Sequence, residues 1–442
     1  MKVTFHGGVH PAHSSKNPTK AEPVRTYVSD TVKILMNMNI GAPATPIVKK
    51  GDTVKMGQVI GEANGFMSVP VHASVSGTVL SVEPITYTGG MPATCVTIQN
   101  DFQDDWVELE PLGNVETVDP KLVIPAIQKA GICGMGGACF PTHVKLSLKP
   151  DQKCDAIIVN GAECETHLTA DHRLMLENSV RIVDGLRAVM RALDVEKGVI
   201  AIEDNKPDAI EAMTAACSGR TGVRVQPLKT KYPQGGEKQL IDAVLKRQVP
   251  SGGLPIAVGA IVLNVGTCAA IADAVVDGKP LVERITTVTG CVRKPSNLRM
   301  RIGTIVEDAI GECGGFSEEP GKIIFGGAMT GMCLPNITVP TAKATNGIVV
   351  FNKADAASVE EGPCIRCGKC VSVCPIGLNP YLIKAAADKG DMARAKALNV
   401  MDCILCGSCS FECPSRRWLT ASFKMAKTKI AAEAKKQKEA NK

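Results

Sequence analysis

Cys364-Ile365-Arg366-Cys367-Gly368-Lys369-Cys370-Val371-Ser372-Val373-Cys374-Pro375 and Cys403-Ile404-Leu405-Cys406-Gly407-Ser408-Cys409-Ser410-Phe411-Glu412-Cys413-Pro414 repeat one pattern, C-x2-C-x2-C-x3-C-P. Runs of this spacing ligate [4Fe–4S] clusters in pairs. The first three thiolates of a run wrap one cube, and the fourth reaches the cube held mainly by the other run. The expected sets are therefore Cys364, Cys367, Cys370 and Cys413 for one cluster, and Cys403, Cys406, Cys409 and Cys374 for the second. A single run could be a zinc site. Two of identical spacing, each closed by proline, point to iron–sulfur cubes instead. Such cubes take one electron at a time, so this chain moves single electrons.

Working outward, 442 residues suffice for roughly three domains of ~150 residues. Of 18 cysteines, eight are assigned to the clusters, and the other ten are scattered without regular pairing. That usage fits a reducing cytoplasm better than a secreted disulfide framework. The N-terminal stretch Lys2-Val3-Thr4-Phe5-His6 has no apolar core of a secretory signal. Residues 254–276 are mostly apolar, but Pro255, Gly259, Asn264, Gly266 and Asp273 interrupt them. They read as a buried strand, a turn and a helix rather than a membrane span. Of the net charge of +6, most sits in residues 424–442, where seven Lys face two Glu. The remainder is near neutral, which excludes a nucleic-acid substrate. The Lys-rich tail reads as a docking element for anionic lipid or an acidic partner, or as a frayed, solvated helix end.

From 111 to 283 the pattern is α/β. Asp119-Pro120 is an N-cap and N1 pair for a helix to Ala130, which Gly131 closes. Apolar runs at 156–160, 199–203, 223–228 and 261–264 alternate with helical segments at 171–193, 207–217, 237–247 and 268–276. This alternation predicts a largely parallel, Rossmann-like sheet covered by helices. Polar clusters follow the strands: Asn160-Gly161-Ala162-Glu163-Cys164-Glu165, Tyr232-Pro233-Gln234-Gly235-Gly236-Glu237 and Asn264-Val265-Gly266-Thr267. Ligands of open α/β sheets bind beyond the carboxyl ends of the strands. Glu163 and Glu165 either cap the following helix or face a ligand, and their place after a strand end favours the ligand.

A second informative stretch is Gly131-Ile132-Cys133-Gly134-Met135-Gly136-Gly137-Ala138-Cys139-Phe140-Pro141-Thr142-His143-Val144-Lys145. Its glycines permit close backbone approach, and successive N–H groups can form an anion nest. Pro141-Thr142 begins a helix, and Lys145 adds a positive charge for a phosphate. Cys133, Cys139 and Cys164 are expected as small buried hydrophobes beside this loop rather than redox thiols. His6, His10 and His13 lie in a Gly/Pro-rich stretch and read as loop residues rather than a metal site.

On both sides of this unit the chain is β-rich. In residues 1–110, alternation around Gly51-Asp52 and Met56-Gly57, followed by Val69-Pro70-Val71-His72-Ala73-Ser74-Val75-Ser76-Gly77, resembles a biotinyl/lipoyl hammerhead. A carrier domain of that type needs a lysine at the hairpin tip. Gly65-Phe66-Met67-Ser68 has none, so the module is expected to dock rather than carry. Residues 284–350 read as a β-grasp module of the SLBB type, with strands at 285–289 and 322–325 and a helix near 304–310. Residues 351–423, helical at 378–400, resemble an α-helical ferredoxin with two clusters, and 424–442 form the tail. The fold class is thus a multidomain α/β chain of four modules.

The glycine loop ending in Phe140-Pro141-Thr142 resembles the flavin loop of the NADH-oxidising subunit of respiratory complex I. The Asn160…Glu163…Glu165, Gly235…Glu237 and Asn264-Val265-Gly266-Thr267 segments resemble that subunit's flavin and nicotinamide segments, in the same order. The domain order, with Gly7-Gly8-Val9-His10-Pro11 and Tyr232-Pro233-Gln234-Gly235-Gly236-Glu237-Lys238, is similar to the RnfC family of the Rnf complexes. The resemblance implies a peripheral subunit on the cytoplasmic face of a membrane complex, with membrane-embedded and ferredoxin-like subunits as partners. It would pass electrons between reduced ferredoxin and NAD(H) through FMN and two [4Fe–4S] clusters, coupled to Na⁺ or H⁺ transport. It further implies that Gly134, Gly136, Gly137 and Lys145 cradle the FMN phosphate. Asn160, Glu163 and Asn264 would meet the flavin, Phe140, Glu165 and Glu237 would line the dinucleotide site, and Gly235 is a further cofactor-binding residue. Met135, Ala162, Gly236 and His143 depart from the complex I pattern, and Thr166-His167 from the Rnf one. The alternatives are a soluble relative feeding NADH electrons to a dedicated reductase, such as the proline-reductase-associated homologue, and a cluster-carrying scaffold with a disused flavin pocket.

Overall fold

The polar clusters sit on a four-stranded, all-parallel sheet at the centre of the computed structural model, which describes residues 2–440. Its strands run in the order Val223–Leu228, Gly198–Glu203, Ala156–Gly161, Ala260–Asn264. Ile157, Ile158, Val159, Val199, Ile200 and Ile202 are fully buried, as expected of parallel strands covered on both faces. Helices Pro120–Lys129, Ala170–Glu177, Ser179–Ala192, Pro207–Ala216, Glu237–Leu245 and Val265–Val276 accompany the strands. Asp119 caps the first of these, accepting from the Lys121 amide at 3.0 Å. The single helix expected over 171–193 is two, because Asn178 breaks it at φ −134°. The strand order reverses beside Ala156–Gly161, opening a crevice at the carboxyl ends. Asn160 and Asn264 are register partners at that crevice.

Two antiparallel sheets make the N-terminal sandwich. One has the order Thr31–Leu35, Pro92–Asn100, Gly77–Thr86, Thr53–Val54, and the other pairs Thr45–Pro46, Val59–Glu62 and Val71–His72. The expected hairpin tip docks on the glycine-rich segment. Phe66 packs edge-on against His143 with ring centroids 5.7 Å apart, and its carbonyl lies 3.1 Å from His143 Nε2.

Beyond the parallel sheet, Glu283–Gly290, Ser296–Arg301, Pro320–Phe325, Met332–Cys333 and Gly347–Asn352 form a mixed sheet with the helix Val306–Glu312. Its edge strand comes from far away in sequence: Arg25–Tyr27 pairs in parallel with Ser296–Arg301. The first residues also bridge elsewhere, Val3 to Leu228 and Val9 to Tyr232. The N-terminal segment therefore ties the two sheets together rather than joining the sandwich.

The cysteine runs lie among short helices, Lys369–Ser372, Pro380–Asp388, Met392–Ala397 and Ser408–Phe411, closed by Leu419–Ala440. Phe423, Ala426 and Ile430 of this last helix are buried, so its apolar side anchors the start of the Lys-rich tail. Asn441 and Lys442 lie outside the described residues. Residues 254–276 fold as a short 3-10 turn Pro255–Val258, the strand Ala260–Asn264 and the helix Val265–Val276. Among the described residues no helix is long and apolar enough to cross a membrane.

Candidate functional site

The eight cysteines converge crosswise. Cys403, Cys406, Cys409 and Cys374 surround one pocket of about 340 Å³, solvent space included, with Pro375 and Phe423 in its walls. Cys364, Cys367, Cys370 and Cys413 surround another of about 380 Å³, again with solvent space included, beside Tyr381 and Pro414. Among the described residues no three His, Cys, Asp or Glu are grouped closely enough for a single metal ion. In a [4Fe–4S] cube each thiolate meets a different iron. Burial pushes the Cys409 thiol up to about 12 and the Cys403 thiol up to about 11, with the neighbouring sulfurs opposing ionisation as a lesser cause. Iron must therefore displace protons on binding. Backbone amides already aim at two sulfurs, Leu378 N–H to Cys374 Sγ and Leu405 N–H to Cys403 Sγ, each at 3.4 Å. From the tail helix, Lys427 donates to the carbonyl oxygens of Met401 (3.0 Å) and Cys403 (2.5 Å).

The glycine loop folds back on itself. Gly134 N–H donates to Phe140 O at 2.8 Å, and Cys139 N–H to Gly134 O at 3.1 Å. Cys133 and Cys139, expected as separate buried thiols, are bonded to each other and close the loop. Its far side is fixed by Met135, whose amide donates to Thr267 Oγ1 at 2.9 Å. The expected helix after Pro141 is only Thr142–Leu146, and its first amide is already bonded to Ile132 O at 3.1 Å. Gly136 and Gly137 are left exposed, with nothing within 4 Å of a Cβ placed on Gly137.

Gly136 faces the crevice. A Cβ there would stand 3.4 Å from that of Asn264. Asn264 caps its helix through Gly266 N–H (2.8 Å) and donates to Asp171 Oδ2 at 2.7 Å. Asn160 donates to Gly235 O at 2.8 Å and accepts from Ala162 N–H at 3.1 Å. The two asparagines, Gly136 and Gly235 are thus gathered at the strand ends. Burial, and secondarily the charge of Glu163, raises the Asp171 carboxyl.

The paired glutamates diverge. Glu163 adopts φ +45° and caps the next helix, accepting from the amides of Asp171 (2.7 Å) and His172 (3.2 Å). Of the two roles weighed from sequence, its carboxylate takes the capping one. Glu165 lines an open cleft of about 1330 Å³, solvent space included, together with Gly136 and Gly137. It accepts from Thr330 Oγ1 and from Met329 N–H at 3.0 Å, and burial raises its carboxyl. Two buried lysines shape this loop from behind: Lys16 donates to Glu163 O and Leu168 O, both at 2.7 Å, and Lys206 to Ala162 O at 2.6 Å. Lys145 and Glu237, expected on phosphate and dinucleotide respectively, face each other at 2.8 Å. Phe140 is half-buried at the end of the glycine loop.

Several cleft residues carried no signal in the sequence. Asn37 and Asn39 come from the sandwich, and Thr330 and Asn346 from the mixed sheet. A cleft shared by three domains has no local pattern in sequence.

The domain families that match describe the same order of parts: an RnfC barrel sandwich hybrid domain over 3–103, a Nuo51 FMN-binding domain over 127–273, an SLBB domain over 285–332 and a 4Fe-4S dicluster domain over 356–414. The chain is 46% identical over 435 residues to the RnfC-type subunit of the Na⁺-translocating ferredoxin:NAD⁺ oxidoreductase complex of Acetobacterium woodii, covering 98% of each. It is 47% identical over 406 residues to the counterpart from the proton-translocating complex of Clostridium ljungdahlii, covering 91% of this chain and 88% of that one. The counterpart from the ion-translocating oxidoreductase complex of Rhodobacter capsulatus is 40% identical over 436 residues, or 98% and 84%. With a crosswise pair of four-cysteine sets beside a flavin-type crevice, and relatives this similar over nearly its whole length, the chain belongs to the RnfC family of the Rnf ion-translocating oxidoreductase complexes.

Proposed function

We propose that this chain is the nicotinamide-facing subunit of a membrane-bound complex that exchanges electrons between reduced ferredoxin and NAD. The exchange runs through FMN and two [4Fe–4S] clusters and is coupled to Na⁺ or H⁺ translocation. The single observation that carries this reading is the junction of a switch-point crevice, with Asn160 and Asn264 in register, and two crosswise cysteine sets in one chain. FMN, when bound, takes a hydride as an electron pair and releases the electrons singly, which joins NADH to one-electron cubes.

The residues divide the work. Gly134, Gly136, Gly137 and Lys145 hold the phosphate, with Lys145 exchanging its Glu237 partner for it. Asn160 and Asn264 fix the ring and ribityl chain at the strand ends, while Glu163 acts through the helix it caps. Phe140, Glu165, Gly235 and Glu237 receive the dinucleotide, with Thr330 and Met329 orienting the Glu165 carboxylate. The modules are assigned as 1–110 hammerhead, 111–283 FMN and NAD domain, 284–350 β-grasp, 351–423 two-cluster ferredoxin domain and 424–442 tail. Association with the membrane is peripheral, through partner subunits at the cytoplasmic face. Relatives of nearly equal identity are named for different ions, which suits a subunit that hands over electrons rather than one that selects the ion.

The anaerobically purified, reconstituted chain should retain FMN and about eight irons, and NADH should bleach the flavin and reduce ferricyanide. A chain that binds clusters but neither flavin nor NADH would establish the scaffold reading instead.

A further inference from the structure

The two cysteine runs are copies of one pattern, so equivalent positions can be compared directly. Gly368 and Gly407 both follow the second cysteine of their run, with φ of +77° and +84°. A Cβ on Gly368 would meet nothing within 4 Å, whereas one on Gly407 would stand 3.1 Å from the carbonyl oxygen of Met329. Cys364 and Cys367 are exposed, while Cys403 and Cys406 are half-buried. Part of the difference is made by the loop at Met329, which lies over Gly407 of the second run and leaves Gly368 of the first uncovered.

That cover leads to the cleft. Met329 donates its amide to Glu165 at 3.0 Å, and Thr330 bonds the same carboxylate. Tyr232, which opens the Pro233–Glu237 stretch, is 2% exposed and donates its hydroxyl to Cys406 O at 2.7 Å. Its backbone pairs both ways with Val9, 2.8 and 2.9 Å, and Gly8 N–H beside it donates to Val373 O at 2.8 Å. Gly7 lies so close that a Cβ would stand 2.8 Å from Cys374 O. Tyr232 and the Gly7–Val9 segment paired with it therefore touch two ligand peptides of one cluster, Cys406 and Cys374.

The structure assigns the cluster of Cys374, Cys403, Cys406 and Cys409 as the one that exchanges electrons directly with the flavin. Tyr232 is the residue that positions it, and the cluster of Cys364, Cys367, Cys370 and Cys413 is the outward port. This rests on the flavin and cluster reading above. Flavin and clusters, when bound, would supply the one-electron centres, and Tyr232, Gly7 and Gly8 would hold the near one against the flavin side. The Tyr232 hydroxyl, by polarising the Cys406 carbonyl, also belongs to the hydrogen-bonded surroundings that set a cluster's potential.

The test uses the full chain with reconstituted clusters and FMN. Tyr232→Phe should keep iron, FMN and NADH-driven flavin bleaching, yet shift the midpoint potential of one EPR signal, the one that Cys406→Ser abolishes. A shift in the signal abolished by Cys367→Ser, or in neither, overturns the role of Tyr232. The order is tested independently by freeze-quench EPR after NADH. With Cys367→Ser the remaining cluster should still be reduced at the wild-type rate. With Cys406→Ser, reduction of the remaining cluster should fall at least tenfold, and the opposite pattern overturns the assignment. Wild-type protein without flavin or iron would instead defeat the underlying reading, and this one with it.

Discussion

Glu165 presents its carboxylate to the cleft while a hydroxyl and an amide hold it in place. A hydrogen bond to a charged group contributes about 1.5–3 kcal/mol, and about 1.4 kcal/mol is tenfold in affinity. Glu165→Gln should therefore weaken NADH binding about tenfold or more while flavin content stays unchanged, as titration of flavin bleaching would show. Lys343 poses a different problem. It is fully buried and donates to Gly131 O (2.7 Å) and Pro70 O (3.1 Å), with no carboxylate as partner among the described residues. Burial lowers its pKa from 10.5 to about 7. Between those values the unfolded chain holds a proton that the folded chain has lost, so this group makes stability rise with pH across that window. Below about pH 7 both states are protonated and the dependence ends. Comparing urea unfolding at pH 7 and pH 9, Lys343→Met should show a smaller gain than wild type; an equal gain would show that Lys343 is charged throughout. Neither residue's setting was legible in advance. Glu165 and Glu163 look alike in sequence, and a positive φ at Glu163 is what sends the two carboxylates apart. Lys343 is an ordinary lysine until three modules close around it.

At the scale of elements, each cysteine run supplies three walls of one cavity and one of the other. Cys374→Ser should remove the cluster of Cys403, Cys406 and Cys409 and spare the other, and Cys413→Ser should do the reverse. EPR of each variant after dithionite reduction checks this, and loss within the mutated run's own cluster would refute the crossing. The strand-end asparagines work similarly through an element. Asn264→Ala removes the cap of Val265–Val276, worth about 1 kcal/mol, and frees Asp171 beside the crevice. Flavin retention through gel filtration should drop with it. These features were readable because they are local: cysteine spacing, strand-end position and an Asp-Pro helix start all act within a dozen residues. The split at Asn178 and the single turn after Pro141 were not, since packing overrode an otherwise continuous helical pattern.

For the whole molecule, the N-terminal segment is the element that sequence alone misplaced most in space. It reads as the start of a sandwich, yet it adds an edge strand to a sheet near residue 300 and lies against Cys374. Long-range pairing of this kind has no signature in composition or periodicity. Gly7 sits at φ +74° with no room for a side chain. Gly7→Ala should thus lower iron content through the near cluster alone, measurable as loss of one of two EPR signals at unchanged FMN.

The bond from Gly8 to Val373 joins residues about 360 positions apart. At synthesis rates of about 5–20 residues per second, the first residues made wait roughly 20–70 s for their partners. Iron insertion at the near cluster must then follow nearly complete translation, whereas the parallel sheet can form earlier. Maturation of this cluster is accordingly a late event, timed by Gly7 and Gly8, whose partners at Val373 and Cys374 emerge long after Leu228, Tyr232 and Ser296–Arg301 have paired with the rest of the N-terminal segment.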